Sequence, residues 1–238
     1  YSDIAFRPGI WYVMPVTRAD HMQFVGGIAN KSIVQTHVFY LNLMDDIYST
    51  YRAVQPGETP FPFTDVPESR WSYPYIRQLY DAGVVSGMTA TTFAPAENMT
   101  RAQFVTMLAG LQGADVSAYK TGKFTDVPAG AWYAPYVNWA AENGVVHGVS
   151  DTAFAPDAEI SRQDMAVMVH RYAERFGIRL STDVPPVTFA DAGDIAAYAL
   201  PAVEALQRAG VISGMPDGSF RPRERMTREQ ACVVLSAL

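Results

Sequence analysis

A chain of 238 residues with 24 acidic and 18 basic side chains carries a formal charge of −6 at pH 7, which disfavours nucleic acid and anionic membrane as partners. Hydrophobic residues make up 49% and charged residues 18%, too apolar for a disordered chain and sufficient for one or two packed domains. No apolar run reaches the length of a membrane span. The single Cys232 cannot form an internal disulfide, and four histidines without a cysteine or carboxylate cluster give no zinc pattern. Neither a metal nor a cofactor is therefore expected. Only Lys31, Lys120 and Lys123 are lysines, and a bias to arginine suits directed contacts with anions more than a diffuse positive field.

The chain starts at Tyr1, without a secretory leader, and so reads as a processed or excised piece. Residues 1–62 carry echoes of the pattern that follows: Tyr1-Ser2-Asp3-Ile4, Phe6-Arg7-Pro8 and Thr17-Arg18-Ala19-Asp20. The middle of that pattern is missing, so this segment is read as either a degenerate repeat or the tail of an upstream domain. A helix is expected over 35–53, followed by a linker, Gln55-Pro56-Gly57-Glu58-Thr59-Pro60.

From Phe63 onward one unit recurs three times, over 63–123, 124–188 and 189–238. Each copy opens with Phe-x-Asp: FTDV at 63–66, FTDV at 124–127 and FADA at 189–192. An aromatic and a proline follow, as Trp71 and Pro74, Trp132 and Pro135, Tyr198 and Pro201, and start a first helix expected over 71–82 in the first copy. Gly83, Gly144 and Gly210 stand where a left-handed residue ends that helix. Pro216-Asp217-Gly218 is turn chemistry, with Asp bonding back to the backbone and Gly accepting positive φ. Thr100, Ser161 and Thr227 then cap a second helix, Thr227 with Gln230 completing a capping box. Phe104, Val105, Leu108 and Leu111 form its inward stripe in the first copy, and Met165, Met168, Val169 and Tyr172 in the second. The linker 177–188 lengthens the step to the third copy. Such recurrence means supersecondary units, each too small to bury its own apolar face.

These units resemble S-layer homology (SLH) repeats in their Phe-x-Asp-Val, Trp, Gly-Val-Val-x-Gly, Phe-x-Pro and Thr-Arg-Ala-Glu marks, over residues 63–238. The resemblance implies a mostly α-helical fold, three helix-loop-helix repeats closing into a three-lobed pseudo-trimer within one chain. It also implies a protein of the bacterial cell surface, held non-covalently by a cell-wall polysaccharide that often bears a pyruvylated amino sugar. It assigns ligand contacts to Arg101, Arg162 and Arg228, and groove lining to Gly87, Gly148 and Gly214 and to Trp71, Trp132 and Tyr198.

The residues themselves give a reason. Each arginine sits at the first position of a helix, beside free backbone N–H groups and the positive dipole end, where it opposes the dipole. Three repetitions of a mildly unfavourable choice fit an anion site, since the guanidinium fork and the dipole select the same carboxylate. The competing reading is a salt bridge to an acidic neighbour in the array. Asp151 and Asp217 keep the turn aspartate that is Ala90 in the first copy, so the grooves of Arg162 and Arg228 rank above that of Arg101. Trp71 and Trp132, as large aromatics at helix starts, are expected in the core ahead of any sugar stacking. Cys232 reads as a small core residue.

No nucleophile elbow, P-loop or zincin motif is present, and no carboxylate pair stands out for glycoside hydrolysis, so the chain is read as a non-catalytic wall anchor. Two alternatives remain at this level: a self-association module of a surface layer, and the anchor of an enzyme whose catalytic domain is absent.

Overall fold

The computed structural model describes residues 61–238. The expectations of a fourth unit, a helix over 35–53 and the linker at 55–60 lie outside those residues.

Among the described residues six α-helices form, two per repeat: α1 (Tyr73–Asp81) and α2 (Arg101–Gln112), α3 (Ala134–Glu142) and α4 (Arg162–Phe176), α5 (Leu200–Arg208) and α6 (Arg228–Ser236). A single 3₁₀ turn, Ala192–Asp194, opens the third repeat. Pro74, Pro135 and Pro201 fall in the first turn of α1, α3 and α5, where a missing N–H is no loss. Each of these helices stops before Gly83, Gly144 or Gly210, whose φ values of 71°, 73° and 72° reverse the chain. The first helix begins at Tyr73 rather than Trp71, because Trp71 lies in the turn that leads into it. Thr100 and Thr227 make complete capping boxes with Gln103 and Gln230, and Ser161 accepts from the Asp164 N–H while its hydroxyl donates to the Asp164 carboxylate.

The aspartate of Phe-x-Asp does not cap the helix that follows it. Asp65 reaches across its own repeat to accept from the N–H groups of Phe93 and Ala94 at 2.9 and 2.7 Å. Asp126 does the same for Phe154 and Ala155, and Asp191 for Phe220 and Arg221. The second residue of each pair is left-handed without being glycine: φ is 59° at Ala94, 58° at Ala155 and 56° at Arg221. Such a conformation costs about 1–2 kcal/mol, and two charge-assisted bonds to one carboxylate offset it. Burial works to raise the Asp126 pKa, but the two backbone donors outweigh it and hold the carboxyl below its ordinary range.

The pinned phenylalanines Phe93, Phe154 and Phe220 are fully buried. Their rings lie 5.5, 5.6 and 5.3 Å from those of Phe63, Phe124 and Phe189. Each repeat thus has a small aromatic centre but no closed core, because its second helix packs elsewhere. α2 packs on α3 of the next repeat, α4 on α5, and α6 returns to α1. The buried residues of all three repeats therefore form one continuous cluster, with Ile76, Phe104, Leu108, Val137, Ile160, Met165 and Leu206 among its most enclosed members.

Backbone hydrogen bonds follow the same cyclic order. The N–H groups of Arg101 and Ala102 donate to Ala158 and Pro156 O, those of Arg162 and Gln163 to Glu224 and Pro222 O, and those of Arg228 and Glu229 to Glu97 and Pro95 O. Just before the caps, Met99 N–H donates to Met226 O, Met226 N–H to Ile160 O, and Ile160 N–H to Met99 O, a closed ring of three bonds. At the seam between the last and first repeats, Arg70 grips Glu229 with two bonds of 2.8 and 2.9 Å, and Ser72 donates to the same carboxylate at 2.6 Å.

Two outcomes follow for stability. Thr227→Ala removes one half of a capping box and lowers stability by about 1 kcal/mol, read from urea melts. Glu229→Gln weakens the seam by about 2 kcal/mol at pH 7, the range of a charged hydrogen-bonded pair. Burial works to raise the Glu229 pKa, but the bonds from Arg70 and Ser72 outweigh it and lower the value. This contribution is therefore full above the ordinary glutamate range near pH ~4.3 and fades as pH falls through the lower folded value. The gap between wild type and Glu229→Gln narrows below about pH 4.

Candidate functional site

Arg101, Arg162 and Arg228 stand at the start of α2, α4 and α6, as the repeats require, but they are not surface residues. Their exposures are 6%, 8% and 7%. Each Nε donates to a carbonyl of the following repeat: Arg101 to Phe154 O at 2.9 Å, Arg162 to Phe220 O at 2.7 Å, and Arg228 to Phe93 O at 2.8 Å. Each guanidinium lies over the ring of that same phenylalanine, 4.8, 4.9 and 4.4 Å from its centroid. The neighbouring helix-end N–H groups, read from sequence as free, are already bonded to the next repeat. Burial pulls the pKa of all three arginines down, yet arginine stays charged at any ordinary pH. The expected salt bridge is nearly absent: among the described residues only Arg101 of the three has a carboxylate within 4.0 Å, its Nη1 lying 4.0 Å from Asp164 Oδ2.

The cyclic hand-over also reassigns the grooves. An arginine meets the loop of the next repeat, so the turn that lost its aspartate at Ala90 lies against Arg228, whose Nη2 donates to Ser86 O at 2.9 Å. The turn of Asp217 lies against Arg162, whose Nη2 donates to Ser213 O at 3.2 Å. The Arg101 groove, ranked last from sequence, faces the intact loop around Gly148 and Asp151. It is a cavity of about 420 Å³ lined by Arg101, His147, Gly148, Asp164, Arg171 and Tyr198 among others. Among the described residues no carbonyl corresponding to Ser86 O or Ser213 O takes a terminal nitrogen of Arg101. That guanidinium keeps more of its fork for a ligand.

Gly148, at φ 88°, could not carry a side chain: a Cβ there would come within 2.6 Å of Phe124 and of the Ser150 and Ala153 oxygens. Gly87 and Gly214 are crowded in the same way by Phe63 and Phe189. These glycines let the loop lie flat on its own phenylalanine, and Gly148 thereby forms part of the cavity wall. Asp151 is exposed in that loop. Asp217 is bound up locally, accepting from Ser219 N–H, the Ser219 hydroxyl and Arg221; the Ser219 hydroxyl and Arg221 hold its carboxyl well below the usual range.

Trp71 and Trp132 overturn the expectation of burial, and Tyr198 is equally open. They are 58%, 60% and 59% exposed, because each precedes its helix in a turn while the core is filled by Ile76, Val137 and Val203 one turn on. Large flat rings thus stand at equivalent open positions in all three copies, outside the core. Tyr198 is held in place: its hydroxyl donates to Asp164 Oδ1 at 2.7 Å and accepts from Gln163 Nε2 at 3.2 Å. Burial and that bond to Asp164 push its pKa up to about 12, so it remains a neutral donor.

His147 and Arg171 were not singled out from the sequence. Their signal lay in the departures between repeats, since His147 replaces Ser86 and Ser213, and Arg171 replaces Gly110 and Ala237. Burial, then Arg171 and Lys123, pull the His147 pKa below its ordinary value. Among the described residues no cluster of His, Cys, Asp and Glu is placed to hold a metal, and no helix is long and apolar enough to cross a membrane. Cys232 is buried, and burial pushes its thiol up to about 12, which makes it an inert core residue.

A ring of helix-loop-helix repeats joined helix end to loop, with a cavity at the Arg101 joint, defines a class of tandem-repeat modules. The S-layer homology domain model matches residues 62–105, 123–166 and 188–232; the chain belongs to that family. It is 37% identical over 178 residues to an endoglucanase of Bacillus sp. (strain KSM-635), covering 75% of this chain and 19% of that protein. It is 30% identical to a cellulosome-anchoring protein of Acetivibrio thermocellus, over 75% of this chain and 39% of the relative. It is also 30% identical to a surface-layer 125 kDa protein of Lysinibacillus sphaericus, over 68% of this chain and 13% of the relative. The chain thus spans well under half the length of these relatives.

Because its guanidinium ties two repeats together, Arg228→Ala lowers stability by about 2–3 kcal/mol, the loss expected for charged hydrogen bonds and a buried cation–π contact. Urea unfolding checks this; an unchanged midpoint would contradict the observed burial.

Proposed function

We propose that this chain is a non-catalytic anchor that holds a bacterial surface protein to the cell wall by binding an acidic polysaccharide, with a pyruvylated amino sugar as the recognised unit. The observation that carries this reading is the cavity of about 420 Å³ at Arg101, which combines two arginines and an imidazole with the exposed, hydrogen-bonded ring of Tyr198. A guanidinium fork suits a carboxylate, and an aromatic face suits the apolar face of a sugar ring. Arg101, Arg162 and Arg228 contribute charge from within the joints, and the platforms follow the same cyclic order, Trp71 with Arg162 and Trp132 with Arg228. Gly87, Gly148 and Gly214 keep the loops low enough for a polymer to lie across them, with Asp151 and Asp217 at their rims.

The relatives named as a cellulosome-anchoring protein and a surface-layer protein share this module and support a role at the cell surface. The relative named as an endoglucanase shares it over a small part of its length, as an anchor joined to an enzyme would. The three-repeat anchor acts as a monomer whose repeats take the places of three subunits. Self-association through the helix-end arginines is disfavoured, since their Nε–H groups and the adjacent backbone donors are already bonded within the chain.

Tyr198→Ala tests the reading without disturbing the core, because the ring is exposed. Binding to isolated wall sacculi falls about tenfold, as loss of a stacking platform and its hydrogen bond implies, while the melting temperature is nearly unchanged. Removing the polysaccharide chemically from the sacculi abolishes binding by the wild type. Undiminished binding to stripped sacculi would overturn the glycan reading and favour a protein partner.

A further inference from the structure

The three joints are built alike but are not chemically alike. Where the loop facing Arg162 carries Ser213 and the loop facing Arg228 carries Ser86, the loop facing Arg101 carries His147. Nine residues beyond the helix-opening arginine, α2 has Gly110 and α6 has Ala237, but α4 has Arg171. Both differences fall on the same cavity, which His147 and Arg171 line together with Arg101. The two groups are close enough that Arg171 helps to lower the His147 pKa. No carboxylate lies within ion-pair distance of Arg171 among the described residues, whereas Arg70, Arg77, Arg221 and Arg225 all have one.

A partly buried arginine left without a carboxylate, lining one cavity with an imidazole whose protonation it disfavours, is electrostatically incomplete, and an anion completes it. Asp164 does not supply the missing charge, since its oxygens accept from Tyr198 and Ser161 and face Arg101. Resting on the glycan reading above, we propose that Arg171 and His147 form a second anion point in the Arg101 groove. This joint then takes a segment of polymer carrying two acidic groups, one at Arg101 and the other, a carboxylate or a phosphate ester, at Arg171. The joints of Arg162 and Arg228, with Ala237 and Gly110 at the equivalent place, take one.

Calorimetry with three probes tests this: an amino sugar bearing one pyruvyl ketal, a disaccharide bearing a ketal on each residue, and the disaccharide with a phosphate ester in place of the second ketal. Arg171→Ala weakens the strongest site for at least one two-anion probe about tenfold and leaves the one-anion probe within twofold. Arg101→Ala weakens all three. Arg171→Lys restores part of the loss, because it keeps the charge and loses the fork. Which two-anion probe responds tells carboxylate from phosphate.

The His147 ring gives an independent readout by NMR. The charged groups facing it are Arg171 and Lys123, with Arg101 and Asp164 elsewhere in the cavity. Free, it titrates below its ordinary value near ~6.5; a two-anion probe moves the midpoint up, and the one-anion probe does not. Equal losses for all probes on Arg171→Ala, or no loss for any, overturn the second anion point while leaving the glycan reading intact. Failure of the wild type to bind any probe overturns both.

Discussion

Everything in this protein depends on the hand-over at the start of each second helix. Two backbone N–H groups and one guanidinium of each repeat are bonded to the Phe-x-Pro segment of the next and the two residues after it. A helix N-terminus presents donors that must find acceptors, and here the acceptors are carbonyls of a neighbour rather than water. That single choice makes the repeats interdependent. It also explains why an arginine tolerates a position opposed to the helix dipole: it stacks on a buried ring and donates to a buried carbonyl, gains larger than a first-turn dipole penalty of well under about 1 kcal/mol.

The receiving segment must be rigid for this to work. Asp65, Asp126 and Asp191 supply the rigidity by pinning two successive N–H groups, the second on a left-handed residue that would otherwise be strained. The carbonyl that each arginine needs belongs to the first of those two residues. Carboxylate, strained residue, phenylalanine and arginine are therefore one device, spread over two repeats and used three times. The cavity at the Arg101 joint is its by-product, opening where a helix end of one repeat meets the loop of the next.

Function then varies without touching the device. The exposed ring and the residues at the Ser86, His147 and Ser213 positions lie at the surface of the joints and are free to change. The Arg101 joint has gathered His147, Arg171 and the Tyr198–Asp164 pair, and differs in charge from its two siblings although the scaffold beneath is the same. On the proposed glycan reading, unlike joints would grip unlike stretches of one polymer and raise avidity through effective concentration.

The sequence by itself determined the repeats, the six helices, their caps and the apolar stripes. These depend on periodicity, on proline and glycine, and on Thr or Ser three residues before Gln or Asp, all of which act within a few residues. It also placed the three arginines at equivalent positions. What it left undecided is where anything points. Trp71 and Trp132 look like core residues until the chain turns them outward. Asp65, Asp126 and Asp191 bind loops 28 to 30 residues away, a pairing that no local signal marks. The grooves were assigned within repeats, so Ala90 was set against Arg101 when it lies against Arg228. Only the tertiary structure decides this, because a repeat that cannot bury its own apolar face must lend its second helix to a neighbour, and the identity of the neighbour is a property of the closed ring.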